Sequence, residues 1–277
     1  MKWNWTDKIT LLYNLFLVIF VITFRAKIGN YACHIVFNLG IISGVILFSR
    51  AKKHQPLMHI FHLWYPIFLY TFLYYQTGLL NRVVIPNFID DLFLRLDVAI
   101  FGKFPGFILY GGGGNAMLDE VFHFFYFSYY LLIPVTGIML HRKNEEIFNQ
   151  FVFQISSLFY ICYVIYIFIP VEGPIELRNI YYHDRGLFRQ VVDFIYKEGE
   201  NPGAAFPSSH VAVTFLVAWW GSKHFDKAKI CYWLIFLFLS LATIYCMFHY
   251  AVDVFGGILL AALVLLLFKT LGGRKEP

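Results

Sequence analysis

Eight long apolar runs divide this chain, and nothing else in it constrains the fold as tightly. They cover about residues 9–24, 31–48, 57–80, 118–140, 147–170, 208–222, 229–248 and 250–269, each near the roughly 20 residues a helix needs to cross a bilayer. The expected architecture is therefore all-α, a polytopic transmembrane helical bundle of about eight spans. With 59% hydrophobic and only 14% charged residues in 277, most of the length goes into spans and a single domain is expected. Residues 1–80 read as N-terminal transmembrane helices and 81–277 as a membrane domain with two long loops, 81–117 and 171–207.

The loops provide a second test of the count, because Lys and Arg in short loops collect on the cytoplasmic side. Eight spans with a cytoplasmic N-terminus place Arg50 to Lys53, Arg142-Lys143, Lys223 to Lys229 and Arg274-Lys275 together on that side, with both termini. The opposite face, periplasmic or lumenal, receives both long loops, which carry Asp90, Asp91, Asp97, Glu172, Glu176, Asp184, Asp193, Glu198 and Glu200. Lys2 and Lys8 precede the first run as in a signal peptide, but it continues into Phe24-Arg25-Ala26-Lys27 without a small-residue cleavage site, so a first transmembrane helix is expected. The net charge of +5 is dispersed, with no basic stripe for nucleic acid. Cys33, Cys162, Cys231 and Cys246 all fall within apolar runs and share no metal-ligand spacing, which makes them core residues.

Two segments carry chemistry. Phe206-Pro207-Ser208-Ser209-His210 opens the sixth run, and Tyr245 to Asp253 joins the seventh to the eighth. On the topology above, both lie on the non-cytoplasmic side. His249 and Asp253, four residues apart, are expected on one helical face, where the carboxylate accepts from one imidazole nitrogen and leaves the other with a free lone pair. His210, Ser208 and Ser209 stand at a helix start, where unpaired N–H groups and the helix dipole favour phosphate oxygens. Ionisable residues within spans are expensive and mark function. The blander alternative makes Asp253 a polar link to His249 and Ser208 a simple helix cap.

Pro207-Ser208-Ser209-His210 resembles the second signature of the type 2 phosphatidic acid phosphatase superfamily, usually Pro-Ser-Gly-His, and His249 with Asp253 resembles its third, His-x-x-x-Asp. The resemblance covers roughly residues 90–265, since LDVAIFGKFP at 96–105 and YFSYYLLIP at 126–134 are similar to the inositol phosphorylceramide synthase-like branch. It implies a six-helix phosphatase-like core within 81–277 and a lipid phosphate substrate cleaved through a phosphohistidine on the non-cytoplasmic face. It implies no metal and no cofactor. His249 would be the nucleophile, Asp253 its orienting partner and His210 the general acid and then base, with Ser208 and Ser209 on phosphate oxygens.

Two positions depart from the pattern. Ala242 and Thr243 stand where the third signature has Ser-Arg, and the first signature, a lysine followed seven residues later by Arg-Pro, is absent in that form. Arg178, just after Gly173-Pro174, is the first candidate to supply the missing charge, followed by Arg185 and Arg189 in the same loop. The same phosphohistidine would serve water or an alcohol, so phosphatase and headgroup transferase remain open. A non-enzymatic lipid transporter would show internal repeats, and no convincing one is present.

Weaker features complete the reading. Gly111 to Gly114 lacks the Gly-Lys-Ser/Thr of a phosphate loop and reads as a connector. Gly40 and Gly44 match a small-xxx-small packing pattern. His123, alone near a helix start, reads as structural. Residues 88–101 suggest an interfacial amphipathic helix framing a lateral lipid entrance.

Overall fold

A computed structural model describes residues 3–50, 55–111, 115–181, 186–199 and 201–271. Arg185, Gly112 to Gly114 and the basic residues Lys52, Lys53, Arg274 and Lys275 lie outside them. The described residues form α1 (Trp5–Thr23), α2 (Tyr31–Phe48), α3 (Pro56–Leu80), α4 (Asp90–Phe101), α5 (Pro105–Tyr110) and α6 (Ala116–Lys143). After these come α7 (Glu145–Phe168), α8 (Ile175–Tyr181), α9 (Leu187–Gly199), α10 (Ser209–His224), α11 (Lys229–Tyr245) and α12 (Ala251–Leu271). Among the described residues the only extended pairing is one parallel bridge between Val171 and Ala204.

Asparagines set several of the boundaries. Asn4 and Asp7 form a capping box at the start of α1, and Asn115 accepts from the N–H groups of Met117 and Leu118 to start α6. Asn144 ends α6 and, through its side chain, starts α7, so these two long helices turn back on each other across one residue.

Among the described residues six helices are long and apolar enough to cross a membrane: α1, α2, α6, α7, α11 with the 3₁₀ turn before it, and α12. The expected spans at 57–80 and 208–222 also form helices, but each falls short on one count. α3 runs 25 residues, and His59, His62, Tyr65 and Gln76 dilute its apolar character. α10 has 16 residues, about 24 Å of helix against a hydrocarbon core of about 30 Å. It is nonetheless the inner helix, packed against α6, α7, α11 and α12. The long loops are not irregular: they hold α4, α5, α8 and α9, with α4 where the amphipathic helix was expected.

The buried side chains fall into two clusters. The larger fills the bundle, with Phe148, Phe151, Ile155 and Leu158 of α7 at its centre and Trp220 of α10 beside them. The smaller lies at one end and joins α4, the 171 and 205 segments, α9 and residues 245–250. Both long loops and both chemistry-bearing segments meet there: Ile89 N–H bonds to Pro170 O, Ala205 N–H bonds to Val171 O, and Asn81 Nδ2 bonds to Pro202 O.

Candidate active site

The turn before α10 is docked on α12 by backbone contact. Ser208 N–H donates to the Asp253 carbonyl at 3.0 Å. Gly256 and Gly257 make this approach possible: a Cβ on Gly257 would stand 2.5 Å from Ser208 O, and one on Gly256 would stand 2.6 Å from the Phe206 ring. The two sequence-distant histidines are therefore brought together by main chain and two missing side chains. Ser208 is fully buried, and its hydroxyl accepts the Val211 N–H at 3.4 Å as the α10 cap, which leaves its own O–H to donate. Tyr166 of α7 donates its hydroxyl to the Pro207 carbonyl at 2.9 Å, which ties α7 to the same turn.

His249 is not on a helix. α11 closes in a Schellman arrangement, with Met247 N–H bonded to Ile244 O and Phe248 N–H bonded to Thr243 O. Met247 takes the left-handed position, at φ 55°, that glycine usually fills. The Thr243 carbonyl also accepts the His249 N–H at 3.0 Å. Thus the residue standing where the signature has arginine contributes its backbone, pinning the candidate nucleophile. Tyr250 then caps α12, its N–H donating to Asp253 Oδ2 at 2.9 Å. His249 and Asp253 do meet as expected, but across a turn and not on one helical face: His249 Nδ1 lies 3.4 Å from Asp253 Oδ2. That is ion-pair range and longer than a formed hydrogen bond; contacts of this kind commonly tighten once substrate is bound.

The His210 ring faces the His249 ring, centroids 5.8 Å apart. It sits in a tyrosine cage, 4.9 Å from Tyr126 and 4.1 Å from Tyr129. Its Nε2 is buried and has no hydrogen-bond partner among the described residues. The cage comes from the 126–134 segment, whose side chains showed no chemical role in the sequence.

A second feature hidden in the sequence is the clamp made by α4. Asp97 is completely buried and accepts two N–H groups, Ala251 at 2.8 Å through Oδ2 and Val252 at 3.0 Å through Oδ1. Seven residues earlier, Asp90 accepts the N–H groups of Gly173 at 2.8 Å and Glu172 at 3.0 Å. Burial pushes both carboxyls up from the ordinary aspartate range against the pull of these donors, and burial, then the nearby Asp90 charge, pushes the Tyr250 phenol up. One helix thus ties the start of α12 to the loop after α7. Gly173, at φ +92°, fits only without a side chain, since a Cβ there would meet the Phe248 carbonyl at 2.5 Å. The sequence signal for Asp97 is an acid inside an otherwise apolar stretch of α4, but nothing local names what it holds.

Arg178 is brought to the site and Arg189 stands behind it. The Arg178 guanidinium lies 4.5 Å over the Phe248 ring, next in sequence to His249. It is buried and held from two sides, donating to Asp193 Oδ1 at 2.6 Å and to His123 Nε2 at 3.1 Å. His123 Nδ1 donates to the Asp119 carbonyl at 2.6 Å, which leaves Nε2 as the acceptor. His123 therefore has the structural role expected of it, in orienting the arginine. Arg189 Nε donates to the other Asp193 oxygen at 3.3 Å, and the Glu120 carboxylate accepts the Phe188 and Arg189 N–H groups, fixing α9 on α6.

With this geometry in place, comparison with known families is informative. The family model described as the PAP2 superfamily matches residues 92–267, which contain every candidate catalytic residue and the α4 clamp at Asp97. No curated protein matches the chain, and no solved structure does.

Proposed function

Because this chain belongs to the PAP2 superfamily, we propose that it is an integral-membrane lipid phosphatase or phosphotransferase acting through a phosphohistidine on the non-cytoplasmic face. The observation that carries the reading is the convergence of His210 on His249 at 5.8 Å, with Asp253 3.4 Å from the nucleophile's far nitrogen. His249 Nε2 attacks phosphorus while Asp253 takes up the growing positive charge at Nδ1–H. The bond from phosphorus to the lipid oxygen breaks, and His210 Nε2–H supplies the proton to that oxygen. His210, now neutral, removes a proton from the acceptor, which attacks phosphorus and releases His249. Ser208, Ser209 and the α10 N-terminus hold phosphate oxygens, and the charge that builds up is balanced by Arg178. Arg185 is a further candidate for that charge.

Water and an alcohol headgroup fit the second step equally well. The transferase reading draws support from the segments similar to the inositol phosphorylceramide synthase-like branch, because both bear on the site: Asp97 holds α12, while Tyr126 and Tyr129 enclose His210.

The test is incubation of purified protein with labelled phosphatidate, isoprenyl phosphates, and phosphatidylinositol plus ceramide, scoring free against lipid-linked phosphate. The expected result is turnover of at least one, lost in His249→Ala and His210→Ala. No turnover of any, unchanged in both variants, would sink the assignment.

A further inference from the structure

At the same end of the bundle as the histidines, but N-terminal to the family match, α2 and α3 diverge around a cavity of about 580 Å³. That lies within the roughly 300–1,000 Å³ typical of small-molecule sites. Its polar lining includes Lys27, Asn30 and His34 at and just before the start of α2, and Tyr75 and Gln76 on α3. Gln76 is 3% exposed, donates through Nε2 to His34 Nδ1 at 3.3 Å, and has no partner for its Oε1. A buried amide oxygen left unpaired costs about 1–3 kcal/mol, so this edge favours a donor brought in by a ligand.

The other polar edge is electropositive. Asn30 adopts a left-handed conformation and makes no side-chain cap; its carbonyl takes the Cys33 N–H at 2.9 Å, and the Tyr31 and Ala32 N–H groups that open the 18-residue α2 have no side-chain acceptor among the described residues. Lys27 stands beside them, and its ammonium meets the Val83 carbonyl at 3.4 Å and the Phe24 ring. The remaining wall is apolar: Phe37, Phe72 and Leu79 line the cavity and are 37%, 60% and 54% exposed. Among the described residues α2 packs chiefly on α1 and α3, so the cavity opens sideways toward lipid chains, and a Cβ on Gly29 would meet nothing within 4 Å.

We propose that this cavity binds the headgroup of an anionic glycerophospholipid carrying a free hydroxyl, of the phosphatidylglycerol or phosphatidylinositol type. The phosphate lies at Lys27 and the α2 N-terminus, a headgroup hydroxyl donates to Gln76 Oε1, and the acyl chains run over Phe72 and Leu79. The lipid is a bound ligand and not the substrate, since none of His210, His249 and Asp253 lines the cavity. The site stands independently of the catalytic reading.

The experiment measures saturable binding of fluorescent phosphatidylglycerol to purified His249→Ala protein in detergent, a background in which turnover cannot consume the probe. Phosphatidylcholine, whose trimethylammonium would face Lys27, and sn-glycerol 3-phosphate, which has no chains, serve as competitors. Expected are competition by phosphatidylcholine at least about 10-fold weaker than by unlabelled phosphatidylglycerol, none by glycerol phosphate at millimolar concentration, and about 10-fold weaker probe binding in Lys27→Gln, the loss of one charge-assisted contact. Lys27 is exposed, so this variant tests the site without disturbing the core. Equal affinity in Lys27→Gln, equal competition by phosphatidylcholine, or displacement by glycerol phosphate would each overturn the proposal.

Discussion

Asp97, on α4, accepts the first backbone N–H of α12 from Ala251 at 2.8 Å, across 154 residues of chain. Its other oxygen takes the next N–H, from Val252. The start of α12 is thereby fixed one residue after the Tyr250 cap and two after His249. Asp97→Asn retains one acceptor oxygen and turns an NH₂ group toward the second donor. We expect a stability loss of about 1–3 kcal/mol from the stranded N–H and a fall in kcat larger than any change in KM, read from thermal unfolding in detergent and from steady-state turnover in the proposed assay. Full kcat in Asp97→Asn would show that the clamp does not position His249.

Asp253 has two tasks that one substitution separates. Asp253→Asn keeps an oxygen for the Tyr250 N–H but removes the charge facing His249. Folding should survive while kcat falls about 10²–10⁴-fold, as when a histidine loses its orienting carboxylate. A melting temperature close to wild type with that loss of turnover is the expected pair of results.

Gly257 and Gly40 are both helical glycines and should respond oppositely to alanine. At Gly257 the new methyl would meet Ser208 O at 2.5 Å and Ala212 N at 3.3 Å, both backbone atoms that cannot swing aside. Gly257→Ala should cost about 1–3 kcal/mol through overpacking and push the α10 turn off α12, lowering activity as well. Gly40 has nothing within 4 Å, so Gly40→Ala should gain up to about 1 kcal/mol from helix propensity alone. Paired melting curves decide the matter.

Met247 holds a left-handed backbone with a fully buried side chain. Replacing it by glycine relieves about 1–2 kcal/mol of backbone strain, but removing a buried methionine side chain costs about 2–5 kcal/mol. The second effect is larger. Met247→Gly should lower the melting temperature, and an unchanged or raised value would mean that the turn is strained more than its φ implies.

Arg178 offers a test of charge against shape. Arg178→Met should cut kcat/KM about 10²–10³-fold if its charge supports the developing phosphorane. Arg178→Lys retains charge but loses the planar guanidinium that lies over the Phe248 ring, so only part of the activity should return. Equal activity in all three proteins would remove Arg178 from the site.

Local chemistry makes the membrane architecture and the reactive side chains legible along the chain. Apolar runs of bilayer length fix an all-helical membrane bundle because each span satisfies its own backbone, and His210, His249 and Asp253 stand out because charged and imidazole groups are costly in such surroundings. Even there the pairing of His249 with Asp253 was legible while its geometry was not: four residues suggested a helical face, and the chain makes a Schellman turn with Tyr250 as a cap instead. Tertiary structure alone decided the rest. Asp97 and Asp90 hold N–H groups far along the chain, Gly257 matters for what stands opposite it, Tyr126 and Tyr129 matter for the imidazole they enclose, and Arg178 is selected over Arg189 by the ring beneath it. These are long-range pairings between ordinary residues, and no local spacing encodes a partner supplied by another helix.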